Sequence, residues 1–107
     1  MTTFVIDIDG TLCTQTASEY ELARPILSRI ARVNELYAQG HSIVIFTARG
    51  MKTSNGNRVA AEERWRLVTE KQLATWGLNY HKLLFGKPAG DFYIDDKTME
   101  ISEFFRE

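Results

Sequence analysis

The sequence predicts a three-layer, Rossmann-like α/β fold, a mostly parallel sheet with helices on both faces. Two observations carry this expectation. Short apolar runs that read as buried strands alternate with longer stretches of helical spacing. Polar or acidic residues then stand directly after those runs, where open parallel sheets gather their ligands.

The first strand is Phe4, Val5, Ile6 and Ile8, expected to be buried on both faces. It runs into Asp7 and Asp9 and the turn Gly10-Thr11. Cys13 to Arg24 is polar and irregular and is expected as a long loop above the strand ends. Pro25 suits the first position of a helix, with Ile26, Ile30, Val33 and Tyr37 at helical spacing and Gly40 as its C-terminal cap. His41 to Phe46 is the second strand, ending at Thr47-Ala48-Arg49-Gly50. A turn at Ser54-Asn55-Gly56-Asn57 precedes a long helix from about Arg58 to Trp76, with Trp65, Val68, Gln72 and Trp76 along one face. Glu62 and Arg66 form an i, i+4 pair on it. Tyr80 to Phe85 is a third strand, Phe92 to Ile94 a fourth, and Glu100 to Arg106 a terminal helix. Right-handed crossovers between such elements give a parallel sheet.

Composition narrows the functional classes. The 107 residues suffice for one domain, 1–107. A net charge of −1 provides no global basic field for nucleic acid, although a local basic groove stays open as an alternative. The single cysteine, Cys13, excludes an internal disulfide and fits a reducing compartment. The first residues lack the charge and apolar pattern of a signal peptide, and no apolar run approaches the ~20 residues that span a bilayer. A cytoplasmic chain without a membrane partner is the expectation.

Asp7 and Asp9, at i and i+2, point to one side of a strand and would repel one another without a cation. Asp91-Phe92-Tyr93-Ile94-Asp95-Asp96 is a second apolar run ending in acids. With its strand beside the first, Asp7, Asp9, Asp95 and Asp96 converge on one edge. An all-oxygen donor set suits Mg²⁺; His41, His81 and Cys13 lack the spacing of a soft-metal site. A carboxylate nucleophile can accept a phosphoryl group, and a neighbouring carboxylate can move the proton. Lys87 and a divalent cation would balance charge, and the Thr47 hydroxyl with nearby amides would hold phosphate oxygens. The set describes phosphoryl transfer.

Four segments carry a resemblance to a known family. Asp7-Ile8-Asp9-Gly10-Thr11-Leu12 resembles motif I of the haloacid dehalogenase superfamily, and Phe46-Thr47-Ala48-Arg49 its motif II. Lys87 resembles the lysine of motif III, and Tyr93-Ile94-Asp95-Asp96 the acidic motif IV. The order is the family's, over residues 4 to 96. The resemblance implies Asp7 as nucleophile and metal ligand. It implies Asp9 as general acid/base with its carbonyl on Mg²⁺, Thr47 on the phosphoryl group and Lys87 orienting Asp7. Gly10, Ala48 and Arg49 join Thr47 in the substrate-binding set, and Asp95 and Asp96 complete the metal set. An acid at the second motif I position is similar to the family's phosphatases. Neither usual insertion point holds a cap domain, so the resemblance is to a small capless member. Such members either accept large substrates or close the open site with a neighbouring subunit, here a second copy of the chain.

The implied activity is Mg²⁺-dependent hydrolysis of a phosphomonoester through an aspartyl-phosphate, on a small phosphorylated metabolite such as a sugar phosphate of cell-surface polysaccharide biosynthesis. The alternatives are a polynucleotide 3′-phosphatase and a non-catalytic module that binds phosphate or a partner. Arg49 has a second reading, as a salt-bridge partner of Glu19 or Glu21. Trp65 and Trp76 are read as core, and Cys13 as a packing residue.

Overall fold

A computed structural model describes all 107 residues, Met1–Glu107. Three strands, β1 (Thr3–Ile6), β2 (Ser42–Thr47) and β3 (Lys82–Phe85), form a parallel sheet in the order β1-β2-β3. Helix α1 (Leu27–Ala38) joins the first pair, α2 (Arg58–Thr75) the second, and a short α3 (Ile101–Phe105) follows. All three C-terminal strand ends therefore lie along one edge, so Asp7, Thr47 and Lys87 leave the sheet on the same side.

The register aligns Phe4 with Ile43, Ile6 with Ile45, Ile45 with Leu83 and Thr47 with Phe85. These residues share one face of the pleat. Ile6, Ile43, Ile45, Leu83 and Phe85 join one buried cluster with Ile30, Val33 and Leu36 of α1 and Trp65 and Leu73 of α2. Helix α1 begins two residues after Pro25, because Pro25 is bridged to Cys13 and Ile26 donates to the Leu12 carbonyl at 2.9 Å. Its buried stripe is Ile30, Val33 and Leu36, while Tyr37 stacks on His81 with ring centroids 4.6 Å apart. Helix α2 is capped by the Asn57 side chain, which accepts from the Ala60 amide, and it buries Ala61, Trp65, Thr69 and Leu73. Glu62 pairs with Arg66 at 2.8 Å as its spacing requires. Leu73 to Leu78 close the helix through Gly77, whose φ of +75° favours a residue without Cβ.

Two expectations are corrected. Phe92 to Ile94 do not form a strand. The Tyr93 hydroxyl donates to the Pro88 carbonyl at 2.5 Å and accepts from the Gly90 amide at 3.1 Å, so this segment closes on itself. Phe92 and Ile94 are 86% and 96% exposed, and β1 is left as an edge strand. The buried cluster also occupies only one face of the sheet. On the other, Val5 is 64% and Leu84 45% exposed, so β1 is not buried on both faces. No helix is long and apolar enough to cross a membrane.

Candidate active site

The turn after β1 presents the two carboxylates. Ile8, fully buried, directs its side chain into the core between Asp7 and Asp9. Its carbonyl accepts the amides of Thr11 at 3.0 Å and Leu12 at 2.8 Å, which folds the chain back. Gly10 sits at φ +84°, and a Cβ there would meet the Gln15 side chain at 2.9 Å. Its amide donates to the Cys13 carbonyl at 2.9 Å, so Gly10 closes the turn and its N–H is already used. The loop that follows folds down rather than standing open. Thr14 and Arg24 pin its ends together, and Tyr20 packs edge-on against Trp65 with centroids 4.7 Å apart.

Asp7 faces Lys87, with Nζ 3.5 Å from Oδ1. Thr11 Oγ1 donates to its other oxygen at 3.3 Å. Burial pushes the Asp7 carboxyl above the usual carboxylate range. The Lys87 ammonium and the Ile8 amide pull it down without cancelling that rise. Lys87 is held by its own amide, which donates to the Thr47 carbonyl at 3.2 Å, and its ammonium lies 4.3 Å from the Tyr93 ring centre. Thr47 itself is buried at the end of β2, where its hydroxyl oxygen accepts the Arg49 amide at 3.1 Å. Ala48, half-buried, occupies the same corner.

Asp9 belongs to a different arrangement. Arg49 Nε and Nη2 reach its two oxygens at 2.9 and 3.0 Å, a bidentate pair with the arginine side chain fully buried. Arg49 is therefore not a cation facing substrate, and it pairs with neither Glu19 nor Glu21. Its folded position beneath the loop, under the Tyr20 ring at 4.9 Å, accounts for the difference. Thr69 and Gln72 accept from Nη1 at 3.1 and 2.6 Å. Residue order could have pointed to this, since Gln72 interrupts the otherwise apolar face of α2 and so needs a buried partner. Thr11 and Tyr20 were not singled out by sequence reasoning either. Cys13 is buried beside Asp9, and its thiol is pushed up to about 12, by burial first and then by the Asp9 charge.

The acidic quartet does not assemble. Asp95 and Asp96 are exposed, Asp95 using a carboxylate oxygen to accept the Lys97 amide at 2.9 Å, and no three acidic, histidine or cysteine side chains cluster as a metal cage. The missing fourth strand is the cause. Of the two carboxylates in the turn, Asp7 keeps the more exposed one, while that of Asp9 is engaged by Arg49 and its carbonyl accepts Gln15 Nε2 at 3.2 Å. Such a donor set fits a Mg²⁺ ion that keeps waters and shares a phosphate ligand, and does not fit an all-protein cage.

A three-stranded parallel sheet flanked by helices, with a paired carboxylate and lysine at its C-terminal edge, makes this a small α/β protein of Rossmann-like fold. No family model and no curated protein matches the sequence. Among solved structures, a target protein from Vibrio cholerae is 34% identical and superposes with a TM-score of 0.91, over 100% of this chain and 89% of that one. The chain belongs to the same family as that Vibrio cholerae protein. Two more distant likenesses concern the fold alone. One, in a Pnkp1/Rnl/Hen1 complex, has a TM-score of 0.58 at 21% identity and covers 99% of this chain but 33% of the other. The second is the D,D-heptose 1,7-bisphosphate phosphatase from B. bronchiseptica, solved with magnesium and phosphate. It has a TM-score of 0.56 at 14% identity, over 99% of this chain and 60% of that one.

Proposed function

We propose that the protein is a phosphomonoester hydrolase of the haloacid dehalogenase type, with Asp7 as its nucleophile. The observation that carries this reading is the Asp7–Lys87 pair at the sheet edge, with Thr11 on the second Asp7 oxygen and Asp9 two residues along. The fold likeness to a phosphatase solved with magnesium and phosphate supports it.

In this reading Asp7 attacks phosphorus and becomes an aspartyl-phosphate as the ester P–O bond breaks. Asp9 gives a proton to the departing oxygen and later takes one from the water that releases phosphate. Lys87 fixes the attacking oxygen and compensates the charge that a phosphate brings to a desolvated carboxylate. Thr47 and Ala48 line the corner that receives the phosphate oxygens. Mg²⁺ would supply further charge neutralisation when bound. Asp7 and the Asp9 carbonyl would hold it, and Asp95 and Asp96 would join them if the exposed segment moved to the free edge of β1. The substrate we favour is a small phosphorylated metabolite, such as a sugar phosphate of cell-surface polysaccharide synthesis, because a net charge of −1 offers little to a polynucleotide.

The test is phosphate release with Mg²⁺ and with EDTA across sugar phosphates, nucleotides and a 3′-phosphorylated oligonucleotide, with Asp7→Asn as the blank. Metal-dependent release absent from the blank is expected. Release equal to the blank on every substrate would refute the reading in favour of a binding module.

A further inference from the structure

We infer that Arg49 is the positioning residue for Asp9, a buried clamp that leaves one defined lone pair of Asp9 Oδ2 free to carry the catalytic proton. The inference rests on the phosphatase reading above and goes beyond it in assigning the orientation of the acid/base to a second residue.

The geometry is specific. The guanidinium turns its Nε and Nη2 edge to the two carboxylate oxygens, the planar fork-to-fork contact that arginine forms and lysine cannot. Its opposite nitrogen, Nη1, is held from behind by Thr69 and Gln72 of α2. Gln72 is in turn fixed because its Nε2 donates to the Tyr20 carbonyl at 2.6 Å, and the Tyr20 ring covers the guanidinium. The Tyr20 hydroxyl accepts the Gly50 amide at 3.0 Å, which closes the ring of contacts around Arg49. The clamp thus joins the turn after β1, the end of β2, the loop and α2.

A carboxylate offers about four lone-pair sites in its plane. On Oδ1 two are approached, by Arg49 Nη2 and by the Cys13 thiol at 3.5 Å. On Oδ2 only Arg49 Nε is present. The Asp9 side chain is 14% exposed, and Oδ2 is the oxygen with a lone-pair site that no protein donor fills, so the proton is assigned to Oδ2. In the first half-reaction it moves from Oδ2 to the ester oxygen as the P–O bond breaks. In the second it moves from water to Oδ2 as water attacks the aspartyl-phosphate. Arg49 keeps both of its bonds throughout and touches neither substrate nor phosphate.

A residue that acts through the proton donor matters only when the leaving group needs a proton. The experiment compares Arg49→Lys with wild type on glucose 6-phosphate, a poor alkoxide leaving group, and on 2,4-dinitrophenyl phosphate, whose phenolate leaves unprotonated. The expected result is a kcat loss of roughly 100-fold or more on the sugar phosphate with KM within about threefold, and a loss of under about tenfold on the activated ester. Equal losses on both esters, or none, would overturn the clamp. Should Arg49→Lys not fold, Thr69→Val loosens the guanidinium from behind and is expected to show the same leaving-group contrast in weaker form; its absence there also overturns the inference. Where the substrate panel yields a better alkoxide ester, that ester replaces glucose 6-phosphate. A wild-type chain that hydrolyses none of the panel nor the activated ester in Mg²⁺ overturns the phosphatase reading itself, and the clamp with it.

Discussion

Lys87 Nζ and Asp7 Oδ1 stand 3.5 Å apart across the C-terminal edge of the sheet, brought together because β1 and β3 both run parallel to β2. Burial raises the Asp7 carboxyl against this lysine, so the folded state binds the proton more tightly than the unfolded chain. Stability then falls as pH rises from the ordinary carboxylate value through the raised one. The charged nucleophile is a cost at neutral pH. Asp7→Asn should therefore melt in EDTA at pH 7 at or above the wild-type temperature, while phosphate release falls by about 10³-fold or more. A melting temperature several degrees lower would contradict this account of the site.

Lys87→Met removes the one ammonium paired with Asp7. The carboxyl then loses the contact that partly offsets its burial, and the nucleophile is both less ionised and less oriented. Phosphate release at pH 7 should drop by about 10²-fold or more, and activity should recover in part as the assay pH is raised. A loss that does not change with pH would assign Lys87 to phosphate binding alone.

The turn bearing both carboxylates was legible because acids directly after an apolar run have no stable place except a strand end. Lys87 was legible for a similar reason, following a run and a glycine. The fourth strand was misread because three apolar residues between acids look alike whether they pair or not; pairing is decided by tertiary contacts. Here the Tyr93 hydroxyl found Pro88 and Gly90 locally. Arg49 was misassigned because its partner lies on another element, and a long cation shows nothing in sequence of whether it faces water. Gln72 in the row of Trp65, Val68 and Trp76 was the available clue.

Cys13 lies against Asp9 and is fully buried, with its thiol raised to about 12. At pH 8 the buried thiol is therefore held protonated, and the reactive thiolate is scarce. Iodoacetamide should label the native protein at least ~100-fold more slowly than the chain in 6 M guanidinium. Comparable rates, read by mass spectrometry, would mean that the turn after β1 opens readily.

The terminal helix is latched to the site. Arg29 donates from Nε and Nη2 to the two Glu107 oxygens at 2.8 and 2.6 Å, and from Nη1 to the Thr11 carbonyl at 3.0 Å. Phe104 meets Phe4 with centroids 5.4 Å apart, and Arg29 lies over Phe105 at 5.2 Å. The Arg29 hydrogen bonds hold the Glu107 carboxyl below its ordinary range. With a depressed folded value, this contribution is present above the unfolded value and is lost as pH falls through the folded one. Amide exchange of residues 101–107, corrected for the intrinsic rate, should be protected at pH 7 and lose that protection near pH 3. Glu107→Gln should lose part of it at pH 7 already. Equal protection of wild type and variant at pH 7 would show that the two phenylalanines alone hold the helix.

Metal dependence separates the two arrangements open to the acidic segment. Asp95 and Asp96 are exposed, and Lys97 and Tyr93 hold the segment only through local contacts. Asp95→Asn removes no buried contact and should leave the melting temperature in EDTA within about a degree of wild type, as exposed substitutions do. If the segment closes on β1 when phosphate and Mg²⁺ bind, the same variant should raise the Mg²⁺ concentration for half-maximal phosphate release by about tenfold or more. An unchanged Mg²⁺ requirement would restrict the protein ligands to Asp7 and the Asp9 carbonyl, leaving water and the substrate's phosphate to complete the shell.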